Sequence, residues 1–181
     1  SISLLKPGNH CIISSITGSA RIAMCKLFSN IFGFNFVDLD EEDKDTFLSV
    51  IKKNVKAAIT DNKTQLFVMR VNENNIKEYY LLCSIFGMLN IGHLLDIEEL
   101  DSLIQKCEQS EEKIDITKRR DWVIKIKYMI RCRCRLVIAK DCEIKENREI
   151  FDKVQIIPPT RESICENFID KKNLRNLFIS I

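Results

Sequence analysis

The chain has few of the residues that interrupt regular structure: 5 glycines and 3 prolines in 181 residues. That scarcity, in a chain of this length, excludes a small disulfide-stapled scaffold even though 8 cysteines are present. The cysteines sit mostly inside apolar-periodic segments, so reduced, cytosolic thiols are expected. Charge of one sign is also lacking. A formal net charge of +2 gives no bulk electrostatic case for nucleic acid or membrane as a partner. No apolar run approaches the ~20 residues that span a bilayer, and no signal-peptide pattern is expected at the N-terminus. The two histidines, His10 and His93, stand apart from any nucleophile pattern. What is present is 45% hydrophobic and 30% charged residues, the balance of a soluble globular protein, and one domain is the default at this length.

Apolar runs and helical spacings alternate along the chain. Strands are expected at His10–Ile16, Phe34–Leu39, Gln65–Val71, Arg135–Ala139 and Val154–Ile157, the last closed by Pro158-Pro159. Between them, Ile22, Met24, Leu27, Phe28 and Ile31 approximate one helix face, with Gly33 as its stop. Phe47, Leu48, Ile51, Val55 and Ile59 mark a second helix, with lysines on its other side. Helices are also expected over Tyr79–Leu89, Ile97–Cys107 and Trp122–Ile130, and a last one over Arg161–Phe178 capped by Thr160. Strand runs that are continuous rather than alternating imply an α/β fold, a mainly parallel five-stranded sheet with helices on both faces. Ligands of such sheets bind beyond the carboxyl ends of the strands. The loop Ser14–Ala20, the loop Asn72–Asn75 and the segment after Ala139 are expected at that edge.

The first strand, loop and helix carry the chemistry. A loop entering a helix N-terminus is a ready anion site, and its phosphate-binding form reads G-x-x-x-x-G-K-[ST]. Here Ser15 stands for the first glycine, Ala20 for the last, Arg21 for the lysine and Ile22 for the hydroxyl. Arg21 is read either as a phosphate contact or as an exposed first-turn residue. Cys132 and Cys134 lack two further ligands at zinc spacing, so no zinc is expected. Arg131, Arg133 and Arg135 have no interleaved aromatics; they read as a solvated helix end or subunit contact, not a nucleic-acid patch.

The run Pro7–Leu27, ending in Phe32-Gly-Phe34, resembles an AAA+ module of the dynein heavy chain, most closely the fourth module of the ring. Gly18, Ser19, Arg21 and Leu27 fall on family positions without a gap. The charged helix 42–59, Asn90-Ile-Gly-His-Leu-Leu95 and Tyr128–Ala139 extend the resemblance over residues 4–160. It implies a three-layer P-loop large subdomain over 1–160, with 161–181 as a helix leading toward a lid that is itself expected to be missing. If nucleotide binds, it implies ATP or ADP cradled by Thr17, Gly18, Ser19, Ala20, Arg21 and Ile22, with adenine near Leu4–Cys11.

The departures from the family matter as much. The strand that should end in Asp or Asp-Glu ends Met69-Arg-Val71-Asn72, leaving Glu73 as the nearest acid for a Walker B role. The sensor position falls near Lys140-Asp141. Loss of loop glycines, of the magnesium-ligating hydroxyl and of the acid argues against Mg2+ and against hydrolysis. The expectation is a non-hydrolysing module of a microtubule motor, with no catalytic residue and weak or absent ATP binding. Its expected partners are neighbouring AAA+ modules of the same heavy chain, and microtubules and dynein subunits through the full-length motor. Its expected place is cytoplasmic and cytoskeletal, cilium and axoneme included. Two other readings stay open: an active or ATP-binding module completed by its ring neighbours, and an unrelated doubly wound protein binding a small anion.

Overall fold

The computed structural model describes residues 6–14, 21–40, 44–87, 89–110, 119–140 and 151–155. Five strands, β1 (His10–Ser14), β2 (Asn35–Asp38), β3 (Gln65–Val71), β4 (Cys134–Lys140) and β5 (Phe151–Gln155), form one sheet in the order β2-β3-β4-β1-β5. Every pairing within it is parallel. Five α-helices fill the connections: α1 (Arg21–Phe32), α2 (Lys44–Thr60), α3 (Ile76–Leu82), α4 (Ile97–Ser110) and α5 (Arg119–Arg133).

Side chains alternate across a strand, and the alternation divides the core in two. Ile12, Phe67, Met69, Leu136 and Ile138 point to the face covered by α2, α3, α4 and α5. Cys11, Ile13, Leu66, Val68 and Val137 point to the other face, where α1 contributes Cys25, Ile22 and Phe28. This is the expected three-layer α/β architecture, with β3 and β4 buried on both faces as their continuous apolar runs require.

Local chemistry sets the element ends. Gly33 adopts φ +68, and the Phe34 amide reaches back to the Ser29 carbonyl at 2.9 Å, a Schellman closure of α1. Asn62, at φ +57, supplies the left-handed residue after α2. Asp96 and Glu99 cap α4 reciprocally: the Glu99 amide donates to Asp96 Oδ1 at 2.7 Å and the Asp96 amide to Glu99 Oε2 at 3.2 Å. Salt bridges from Lys52 and Lys56 hold the Glu99 carboxyl down at about 2. Arg133 Nη1 donates to the carbonyls of Ala58 and Ile59, both at 3.0 Å, and so closes the C-terminus of α2.

Four expectations need correction. Strand β5 begins at Phe151, three residues before Val154, because that aromatic is 5% exposed and anchors the strand against His10 and Tyr79. The helix expected from Tyr79 begins at Ile76 and gives way to a π-helical turn at Cys83–Gly87. Of the three alternating arginines, only Arg131 lies on the exposed helix surface; Arg133 caps α2, and Arg135 is buried in β4.

The fourth correction concerns α1. Its buried residues are Arg21, Cys25 and Ser29, while Met24, Leu27 and Ile31 face water at 44%, 60% and 65% exposure. Periodicity found the helix and, in Ile22 and Phe28, part of its inner face, but Met24, Leu27 and Ile31 lie outside it. Small residues let α1 lie close to the sheet, and Ser29 spends its hydroxyl on the Cys25 carbonyl at 2.9 Å.

His10 is the buried polar anchor of β1. The Leu136 amide donates to its Nδ1 at 3.1 Å, and the ring also hydrogen-bonds the Phe86 backbone. Burial drives its pKa down to about 4, with Arg135 and Arg131 adding repulsion. Because the folded value lies below the ordinary 6.5, the unfolded chain takes up the proton first as pH falls. Stability is therefore expected to be full above pH 6.5 and to drop by about 3 kcal/mol as pH falls toward 4. Urea titrations across that range check this, and a His10→Gln variant should lose that part of the acid sensitivity.

Candidate functional site

Because all five strands run the same way, their carboxyl ends share one edge. Ser14 of β1 pairs in register with Lys140 of β4, and Lys140 with Val71 of β3. The loop Asn72–Asn75 opens at the same edge, as expected. Of the expected loop residues, Thr17, Gly18, Ser19 and Ala20 lie outside the described residues, as does Asp141. Arg21, Ile22 and Glu73 lie within them.

Arg21 opens α1 and is 6% exposed, which overturns its reading as a solvent-facing first-turn residue. Its Nη1 donates to the Lys140 carbonyl at 2.8 Å. The side chain thus ties the first turn of α1 to the last residue of the central strand. Ile22 is half-buried against the smaller core and offers no oxygen to a metal.

Strand β3 ends in an inverted charge. Arg70 donates its backbone amide to Asp40 Oδ1 and its Nε to Oδ2, both at 2.8 Å. The pair joins the ends of β2 and β3 side by side. Burial still raises the Asp40 carboxyl above its usual range, against the pull of Arg70. Three asparagines then fold the loop onto itself. The Asn72 amide donates to Asn75 Oδ1 and the Asn74 amide to Asn72 Oδ1, both at 2.9 Å, while Asn75 Nδ2 donates to the Arg70 carbonyl at 2.8 Å.

Glu73 is held outward by that turn, exposed and without an ion pair among the described residues. A carboxylate facing bulk water there is not aimed along β3. Asp38, a third acid at the edge with Asp40 and Glu73, sits 4.0 Å from Lys26. Among the described residues no three histidine, cysteine or acidic side chains gather as a metal site would need. Arg21, Arg70 and Lys140 stand there on adjacent elements, with the acids spread singly as Asp38, Asp40 and Glu73.

Two features escaped the sequence reading. Glu78, in the first turn of α3, buries its Oε2 with no hydrogen-bond partner among the described residues. Ser84 Oγ lies 3.0 Å from His93 Nδ1, and Asn90 Nδ2 3.3 Å from His93 Nε2. This cluster is not visible in sequence because the π-helical turn and the left-handed Leu89, at φ +50, bring Ser84 back to the following turn. Its serine is half-exposed and its histidine and asparagine are exposed; they fasten that turn in water. Two clefts of about 340 Å³ share Thr60 and Lys106 and lie by the C-terminus of α2, at the opposite edge of the sheet.

Compared with known families, residues 3–173 match the model described as the P-loop containing dynein motor region D4. The chain belongs to that family. It is an AAA+ module of a dynein motor, one of the modules that form a ring in the heavy chain. No curated protein matches the chain significantly. The membership accounts for the sheet order and for the edge at which a P-loop nucleotide site is built. In this dynein module that edge holds arginines where metal and phosphate ligands are expected.

If Arg21 served only a bound phosphate, the ligand-free chain would be indifferent to its loss. Its burial and its bond to Lys140 predict otherwise. Arg21→Ala should lower the unfolding free energy of the ligand-free chain by about 2 kcal/mol in urea titration, through loss of a buried side chain and its charged hydrogen bond.

Proposed function

We propose that this chain is a non-hydrolysing module of the dynein ring, most like the fourth, with a degenerate Walker A loop and a structural or regulatory role. The observation that carries the reading is the Arg70–Asp40 pair at the end of β3. Magnesium and the attacking water need an acid at the end of this strand. A guanidinium there repels the metal, and the neighbouring carboxylate is committed to it. Arg21, buried against the Lys140 carbonyl, fits a residue that holds α1 to β4 whether or not nucleotide is present.

In this reading Thr17–Ile22 admits ATP or ADP weakly and without Mg2+, or not at all. Neither Glu73 nor Asp141 acts as Walker B acid or sensor, and the module has no catalytic residue of its own. Residues 1–160 are the large α/β subdomain and 161–181 lead toward the lid. The module passes conformational change between its neighbours in the ring, and reaches microtubules and dynein subunits through the full-length motor, in the cytoplasmic cytoskeleton or an axoneme.

The test is thermal unfolding with ATP and Mg2+, with ATP and EDTA, and without nucleotide, alongside phosphate release. Binding at about 100-fold over Kd would stabilise by about 2.7 kcal/mol, roughly 5–10 °C. The expected outcome is a small shift equal in Mg2+ and EDTA, or none, and no phosphate release. A Mg2+-dependent shift with steady phosphate release would overturn the reading.

The ion pair makes a separate prediction. Asp40→Ala should cost about 1 kcal/mol by chemical denaturation, because Arg70 is half-exposed and water screens much of the pair. It should restore no hydrolysis.

A further inference from the structure

Helix α5 lies on the sheet face opposite α1 and runs without a break into β4, the strand whose last residue Arg21 holds. Its inner face is Trp122, Ile126, Met129 and Ile130, all buried. Its outer face has a different composition. At 100° per residue, positions 120, 124, 127, 128 and 131 share one side of the helix. Ile124 and Tyr128 stand there at 56% and 66% exposure, one turn apart. Arg120, Lys127 and Arg131 flank them.

Among the described residues, no carboxylate pairs with those three cations. The neighbouring basic side chains are engaged: Arg119 Nε is 2.8 Å from Asp101 Oδ1, Lys125 lies over the Trp122 ring, and Arg133 caps α2. Arg131 is held in place on its helix by the turn before β1, whose Gly8 amide donates to its carbonyl at 2.8 Å. Asp121, exposed in the first turn on the same side as Tyr128, is the one carboxylate on α5. With the whole chain at only +2, three cations against one acid around two large apolar groups is a local excess of positive charge.

We propose that the outer face of α5 is a docking surface for an acidic amphipathic helix of a partner protein. Apolar side chains of that helix cover Ile124 and Tyr128, while its carboxylates meet Arg120, Lys127 and Arg131. Charge complementarity fixes the sign of the partner. The one-turn spacing of Ile124 and Tyr128 suits apolar anchors four residues apart on a facing helix, and tyrosine is a frequent anchor of such contacts. Nucleic acid fits less well, because an aliphatic side chain occupies the centre of the cations and only one ring is available for stacking. A membrane surface fits less well because two apolar groups bury little area in lipid. The helix that bears the surface is joined through β4 to the nucleotide edge.

The test uses the whole chain and fluorescent probes: synthetic helical peptides with leucines four residues apart flanked by glutamates, the same peptides with lysine for glutamate, a single-stranded oligonucleotide, and phosphatidylserine vesicles. The glutamate peptides should bind, weaken as salt rises, and outcompete the other probes. Tyr128→Ser and Ile124→Ser, both at exposed positions, should each weaken binding about tenfold while melting like the parent chain. Arg120→Glu with Lys127→Glu should abolish binding by the glutamate peptides and admit the lysine peptides. The proposal is overturned by absence of glutamate-peptide binding, by equal binding of both peptide sets, or by preference for oligonucleotide or vesicle. Variants that bind like the parent overturn it too, as does sedimentation showing the face covered by a second copy of the chain.

Discussion

Strand β4 is bonded along both edges, to β1 on one side and β3 on the other, and six of its seven residues are buried. Several of the tethers that hold the module together are attached near its two ends. At its entrance, α5 leads straight into it, the Leu136 amide feeds His10, and Arg133 closes α2. At its exit, the Lys140 carbonyl receives Arg21 and so fixes the start of α1. A parallel strand in the middle of a sheet cannot shift by one residue without exchanging its two buried faces. That constraint makes β4 a rigid rod joining the α5 surface to the nucleotide edge.

The chemistry at that edge follows from how charge is neutralised away from water. A nucleotide-hydrolysing site concentrates carboxylates around a metal and leaves donors free for phosphate. Here the carboxylate of Asp40 is consumed by Arg70, and one donor of Arg21 by a backbone carbonyl. Internal partners therefore hold together the strand and helix ends that a bound metal–phosphate group would otherwise bridge. A module built this way keeps its shape through its own side chains.

Much of this was legible in the residues. The runs Gln65–Val71 and Arg135–Ala139 announced strands buried on both faces, and the sheet places them at its centre. The spacing of Phe47, Ile51, Val55 and Ile59 gave the inner face of α2 correctly. The loss of acid at the end of β3 was readable as well; what replaced it was not, because Asp40 is 30 residues from Arg70 and only the β2–β3 register brings them together. Arg21 was readable as charge but not as a buried tether, since its acceptor is a backbone carbonyl 119 residues away. Helix α1 was half misjudged for a physical reason: close packing on the sheet favoured Cys25 and Ser29 beside Ile22 and Phe28, so Met24, Leu27 and Ile31 were left outward.

That outward seam has a colloidal consequence. Met24, Leu27 and Ile31 form a ridge of hydrocarbon along a helix whose lysine, Lys26, is drawn toward Asp38 and the Phe36 ring. Repulsion between copies is weak at a net charge of +2, so little long-range force keeps such ridges apart in solution. Contact between such ridges is therefore one route by which copies of the module would associate at high concentration.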